Sequence, residues 1–183
     1  MKQFFYSILV MTFVFGTSLV HAETAVTEQP VIAIVDLQKL MAESKAAKSI
    51  RNQGTKIRND YKKRIKKIEK DLSKLDKKLL DVAQDKDSTA DAIKKQRDEF
   101  QERLIEGQKE TAQLNQKLDI SLRNALGKLS KKIIDITEDI ADDDGYDIVL
   151  SKANVITVTP KYDITDQVMS RLNKTVKSIS VKK

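Results

Sequence analysis

The chain has 183 residues, a formal charge of +7, no Cys, no Trp and a single His. Those counts leave little material for Ser–His or Cys–His nucleophilic pairs or for the usual zinc sites. Carboxylates remain, but acid–base chemistry needs a pocket that shifts their pKa values, and a chain that is 33% charged offers little apolar wall for one. The expectation is a non-enzymatic protein with no cofactor and no metal.

The N-terminal segment reads as an export signal. Met1-Lys2 is a short positive start, and Phe4 to Phe15 is an apolar run. Gly16, Thr17 and Ser18 follow, and the segment closes on Val20-His21-Ala22. Small residues at −3 and −1 suit signal-peptidase cleavage after Ala22. The run is shorter than the roughly 20 apolar residues of a membrane span, and the polar stretch Glu23 to Pro30 follows at once. Glu23 in place of Cys gives no lipoprotein signature. Cleavage removes His21 and four of the five Phe, and lowers the formal charge to +6. The expected location is the periplasm, where the absence of Cys leaves stability to packing or assembly.

Val31 to Val35 is short, continuous and β-branched, the pattern of a buried strand. From about Met41 to Ala141 the chain has no Pro and is dense in Lys, Glu, Asp, Leu, Ile and Gln, which is long-helix composition. Tyr61, Ile65, Ile68, Leu72, Leu75, Leu79 and Val82 recur at spacings of 4 and 3, a heptad seam. The seam lapses over Asp85 to Asp91. There Ser88 with Asp91 forms an imperfect capping box, so the chain is expected to reverse into a helical hairpin with its tip near residues 85–91. The return helix carries Ile93, Phe100 and Leu104, then Leu118, Leu122, Ala125, Leu129, Ile133, Ile136 and Ile140 at an 11-residue repeat. Such a repeat unwinds a left-handed supercoil, so the pair should be wound toward the tip and straighter at the base. Helices of 44 to 54 residues would reach about 65 to 80 Å.

Gly54 and Gly107 fall at seam-like positions. Interior glycine costs about 1 kcal/mol relative to Ala, so each should either admit close helix approach or let the arm bend. Met41, Phe100 and Met169 read chiefly as core.

The return helix should stop at Asp142-Asp143-Asp144-Gly145, with Gly145 left-handed. Tyr146 to Leu150 and Val155 to Val158, around a four-residue polar loop, read as a β-hairpin ended by Thr159-Pro160. Asp163 then caps a last helix carrying Ile164, Val168, Leu172 and Val176. The fold class is α+β: a long antiparallel helical hairpin, the coiled-coil arm (41–141), on a small β-rich oligomerisation body (23–40 and 142–183). That body is too small for an independent core, and a strand apolar on both faces needs cover on both. A homo-oligomer is expected, held through Ile32, Ile34, Val35, Ile148, Val149, Leu150, Val155, Ile156 and Val158; the residues alone do not fix the copy number.

Charge is uneven along the arm. Met41 to Gln84 has 14 Lys and Arg against 6 Asp and Glu; Asp85 to Ala141 has 11 against 12. The candidate binding surface for an acidic partner is the cluster Lys62, Lys63, Arg64, Lys66, Lys67, Lys70, Lys74, Lys77 and Lys78. Any one of these lysines is ordinary solvated surface, but the excess attracts and steers acidic partners. Lipopolysaccharide, an anionic membrane surface and acidic outer-membrane proteins are the partner classes available to an exported chain. Nucleic acid is not expected, since no recognition motif appears.

Ile32-Ala33-Ile34-Val35-Asp36, Gly145-Tyr146-Asp147-Ile148-Val149-Leu150, Ala153-Asn154-Val155 and Asp163-Ile164-Thr165-Asp166-Gln167-Val168 together resemble the Skp (OmpH) family of periplasmic chaperones. The resemblance spans the mature chain, but its specific part is the two ends; the arms match in composition and period. It implies a homotrimer whose strands join in a β-barrel-like body. Three arms would surround a cavity that holds unfolded outer-membrane β-barrel proteins without ATP. No lipopolysaccharide-binding residue of the family can be placed on this arm. The alternative is a structural or lipopolysaccharide-binding coiled-coil protein of the cell envelope.

Overall fold

The computed structural model describes residues 29–182; the expected signal segment lies outside the described residues. Strand β1 (Ile32–Val35) leads into a short helix α1 (Leu37–Glu43). Asp36 starts it, its carboxylate accepting from the Lys39 amide at 2.8 Å. Ser44 then breaks the helical path. It is fully buried with an extended backbone, and its hydroxyl accepts from the Ala47 amide at 3.2 Å, capping α2 (Lys45–Gln84). The first helix expected from Met41 is therefore two helices joined at a serine, because an N-cap side chain satisfies the orphan amides of the new helix start.

α2 has 40 residues and α3 (Ala90–Asp144) has 55, lengths of about 60 and 82 Å at 1.5 Å per residue. They pack on one another as the long pair. Asp85 builds the turn at the tip: its carboxylate accepts from the Asp87 amide and its carbonyl from the Ser88 amide. The cap of α3 is Thr89, one residue beyond the expected Ser88, with its hydroxyl accepting from the Ala92 amide at 3.2 Å.

The seam is real but unevenly covered. Ile50, Ile57, Leu129, Ile133 and Ile140 are buried, as are Tyr61, Ile68, Leu114 and Leu118. Beyond them Leu72, Leu75, Leu79, Val82, Ile93 and Phe100 are half-buried. Cover is thus densest at the base, where α1, α4 and the C-terminal tail add to the helix pair. Gly54 and Gly107 mark close approach: a Cβ at Gly54 would lie 2.8 Å from Leu122 Cδ2, and one at Gly107 would lie 2.7 Å from Ile68 Cγ2.

α3 ends at Gly145, whose φ of 72° is the left-handed conformation that glycine adopts without penalty. The preceding acids are held by α4 (Thr165–Thr175). Arg171 pairs with Asp143 at 2.8 Å, and the Gln167 amide donates to Asp144 at 2.7 Å. Strand β2 (Ile148–Ser151) runs parallel to β1, Ile32 opposite Ile148 and Val35 opposite Ser151. Parallel strands need a crossover, and here the crossover is the whole arm.

The expected β-hairpin is not formed. A 3₁₀ turn at Lys152–Asn154 follows β2, Val155 to Val158 pair with nothing as a strand, and a second 3₁₀ turn spans Pro160–Tyr162. The β-branched run has strand propensity, but propensity needs an edge to pair with. β1 already occupies one edge of β2, and the 3₁₀ turn carries the chain over the sheet face instead. It reaches β1 on the other side, where Ile34 bridges to Asp163 and its carbonyl accepts from the Ile164 amide. α4 then buries Val168 and Leu172. Asp163 acts as the expected cap only in part: its carboxylate accepts from the Thr165 amide at 3.0 Å, while Ile164 is the residue that opens the helix.

Candidate binding surfaces of the arm and the body

All nine residues of the basic cluster, Lys62 to Lys78, are exposed on α2. Three have acidic neighbours: Arg64 with Glu110 at 2.6 Å, Lys74 with Asp71 at 3.9 Å, and Lys78 with Glu99 at 4.0 Å. Lys62, Lys63, Lys66, Lys67, Lys70 and Lys77 form no ion pair among the described residues. Among the described residues, acids of α3 reach only Arg64 and Lys78 of the cluster, and the rest of the excess faces solvent. Positive charge spread along a helix of this length attracts acidic partners over a distance set by ionic strength.

On the body, the pleat divides the strand residues between two faces. Ala33, Val35 and Val149 turn toward the helices and join the core. Ile32, Ile148 and Leu150 turn the other way and stay 37%, 41% and 42% exposed. Val31 and Tyr162 extend that apolar face, and Ile156 is wholly exposed in the loop after β2. Ile34 lies on it too but is covered within the chain, and Val155 and Val158 are half-buried along the same open groove. Of the nine residues expected to hold copies together, Ile34 and Val35 are thus already buried in one protomer. Ile32, Ile148 and Leu150 are left open on the sheet, whose outer β2 edge has no strand partner among the described residues, and Ile156 is exposed in the loop.

Two ion pairs brace the body beside this face. Lys39 meets Asp166 and Lys152 meets Asp163, each at 2.8 Å. The hydrogen bond and charge of Asp166 raise Lys39 above its ordinary value, and Asp163 does the same for Lys152. Partial burial alone would raise the Asp163 carboxyl. The Lys152 ammonium and the Thr165 hydroxyl and amide outweigh it together and hold Asp163 at about 2.

The body also has a fastening that periodicity gives no sign of. The C-terminal tail folds back over α2, where the Gln53 side chain acts as a peptide group would. Its amide donates to the Ile179 carbonyl at 2.8 Å, and its oxygen accepts from the Val181 amide at 3.0 Å. Val181 is buried there. The only trace in the sequence is the alternation Ile179-Ser180-Val181, too short to stand out.

Among the described residues no group of His, Cys, Asp or Glu could hold a metal, and no helix is long and apolar enough to cross a membrane. The family model described as "Outer membrane protein (OmpH-like)" matches residues 31–172. This chain belongs to the OmpH-like family. A "Skp-like protein" of Pseudomonas aeruginosa is 30% identical over 161 residues, covering 88% of this chain and 95% of that one. A solved structure from Caulobacter crescentus, described as a candidate outer membrane chaperone (OmpH-like), superposes with a TM-score of 0.76 over 84% of this chain and 89% of that one. At 17% identity it shows the shared fold. Over most of its length the chain is thus Skp-like in sequence, with the fold of an OmpH-like structure. The resemblance carried by its two ends holds, and the matched region also takes in the arm.

Proposed function

We propose that this OmpH-like protein is an ATP-independent holding chaperone of the periplasm. It binds unfolded outer-membrane β-barrel proteins in a cavity between helical arms and prevents their aggregation. The supporting observation is the open apolar sheet face of Ile32, Ile148 and Leu150 beside a strand edge left unpaired among the described residues. Such a face is a site of association unless something covers it. Copies of the same chain cover it best, because the exposed residues are strand residues whose own edge is available for pairing. A homotrimer assembled there would set three arms side by side and enclose a space between them. The domain division follows: a signal peptide at 1–22 removed on export, an assembly body at 23–40 and 142–183, and an arm at 41–141.

Client strands are apolar and aggregation-prone. Enclosure keeps them from one another, and many weak contacts along a basic arm hold them without imposing a fold. Light scattering of the mature protein alone, and then with a barrel protein diluted from urea, tests the reading. A mass of three chains, a soluble complex and suppressed turbidity are expected. A monomer that leaves the client to precipitate refutes it.

The second reading is an envelope coiled coil that binds lipopolysaccharide or an anionic membrane surface through the arm. It draws on the six lysines of the α2 cluster that form no ion pair among the described residues. Tight lipopolysaccharide binding with no protection of a barrel protein selects it.

A further inference from the structure

The contact between α2 and the C-terminal tail has the pattern of strand pairing. The Gln53 side chain donates to the Ile179 carbonyl and accepts from the Val181 amide. Those two backbone groups flank residue 180, as in a parallel ladder, where one residue bonds to the residues before and after its opposite number. A single side-chain amide thus stands in for a strand residue. It is set in place from its own helix: the same nitrogen also donates to the Ser49 hydroxyl at 3.0 Å, one turn back. It bonds only to backbone groups, so it imposes no side-chain sequence on the segment it holds.

The surface around Gln53 does the selecting. Ile179 is half-buried and Val181 buried, while Ser180 between them is exposed. The surface therefore accepts apolar, polar, apolar, the period of a β-strand. Beside Val181 an open groove of about 390 Å³ continues along α2, lined by Lys56, Ile57, Asn59 and Asp60, so the tail fills only part of the surface. Two neutral hydrogen bonds and one small buried side chain are a light hold against the freedom a tail gains on release. The family match ends at residue 172; the tail lies beyond it, whereas Gln53 lies within it.

We propose that the Gln53 groove is a binding site for extended segments of alternating apolar and polar residues, and that the tail is its internal, displaceable occupant. The external occupant is a strand segment of an unfolded outer-membrane barrel protein, in which that alternation recurs along every strand. This identification rests on the holding-chaperone reading. The tail then competes with a client: it covers the groove when the chaperone is empty and gives way when a client strand is held nearby.

The test uses the full mature protein and a fluorescent peptide copying Val176 to Lys182, with binding read by anisotropy. Ile179→Asp with Val181→Asp expels the tail and leaves the groove intact. In the parent the tethered tail occupies the groove at high effective concentration, so the peptide binds weakly. The tail variant should bind it at least tenfold more tightly, and adding Gln53→Ala to that variant should abolish the gain. No binding by the tail variant, or a gain indifferent to Gln53→Ala, overturns the site.

A barrel protein diluted from urea should displace the peptide from the tail variant. In the parent it should speed hydrogen exchange at Val181 at least tenfold while the seam amides stay protected, a readout that needs no variant. Turbidity with the parent reads client holding separately. Suppressed turbidity with Val181 exchange unchanged and the peptide not displaced overturns the proposal and leaves the holding reading standing. Turbidity that the parent does not suppress refutes that reading, and the client occupant with it.

Discussion

Replacing the glycines of α3 by alanine separates helix propensity from packing. Gly107→Ala and Gly127→Ala each gain about 1 kcal/mol of helix propensity. They differ in what the new methyl meets. At Gly127 it meets open space; at Gly107 it would sit 2.7 Å from Ile68 Cγ2, against an ordinary carbon contact of about 3.5 to 4.0 Å. Cγ2 is bonded to Cβ, and a β-branched residue in a helix is nearly locked at χ1, so Ile68 cannot step aside and the helices must part. Overpacking of this kind costs about 1–3 kcal/mol. Gly127→Ala should therefore stabilise by about 1 kcal/mol, and Gly107→Ala should range from neutral to about 2 kcal/mol destabilising. The gap between them is the overpacking cost alone. Urea unfolding followed by helical circular dichroism reads it, at one protein concentration so that the proposed assembly would contribute equally to each variant. A midpoint gap on the order of 1 M is expected for a typical urea slope. Equal gains at both positions would show that the helices do not approach closely at Gly107. Gly54→Ala should fall between the two, since the Leu122 methyl it meets is the free end of a half-buried side chain that can turn away.

Gln53→Ala removes both bonds to the tail and should cost about 1–2 kcal/mol locally; faster hydrogen exchange at Val181, with the seam amides unchanged, is the expected readout. Ile148→Asp with Leu150→Asp places charge on residues already exposed in the protomer, so helical content should persist while the mass falls to a single chain by light scattering. A folded double variant that keeps its assembly mass removes this face as the interface. Asp163 gives a pH dependence. Its carboxyl is held at about 2 in the folded chain against 3.8 for the ordinary group. It therefore stabilises fully above about pH 4 and loses that contribution as pH falls through about 2. Asp163→Asn should lower stability at neutral pH and flatten its decline between pH 4 and 2; parallel curves for parent and variant would refute the pairing with Lys152.

Much of the arm was legible because its signals are local and repeated. The seam spacing, the polar tip and Gly145 each act over a few residues. What escaped depends on distant partners. Ser44 is one serine among helix formers, and only its burial at the base makes it a cap. Val155 to Val158 has every local mark of a strand, but the 3₁₀ turn after β2 carries it off the edge it would have to pair with, toward the far side of β1. Of the candidate surfaces, the α2 lysines were visible as a charge run. Which of them α3 neutralises was not, since Glu99 and Glu110 come into reach only when the hairpin closes. The docking of the tail was hidden for a further reason: it rests on one glutamine side chain, Gln53.

The gradient of burial along the seam bears on how such an arm could serve clients of differing size. At the base, Leu129, Ile133 and Ile140 are closed off by the helix pair, α4 and the tail together. Toward the tip only two helices remain, and Leu72, Leu75, Leu79 and Phe100 are half-covered. Each side chain there contributes less than a fully buried one, whose burial is worth about 1.5–3 kcal/mol, so local opening costs least at the tip. Gly107 stands between the two regimes, at the contact with Ile68, the last fully buried seam position of α2 before the cover thins. The arm is therefore stiff where it joins the body and yielding where it extends furthest. Under the proposed function, that polarity would let the tips adapt to a client without disturbing the apolar face proposed for assembly.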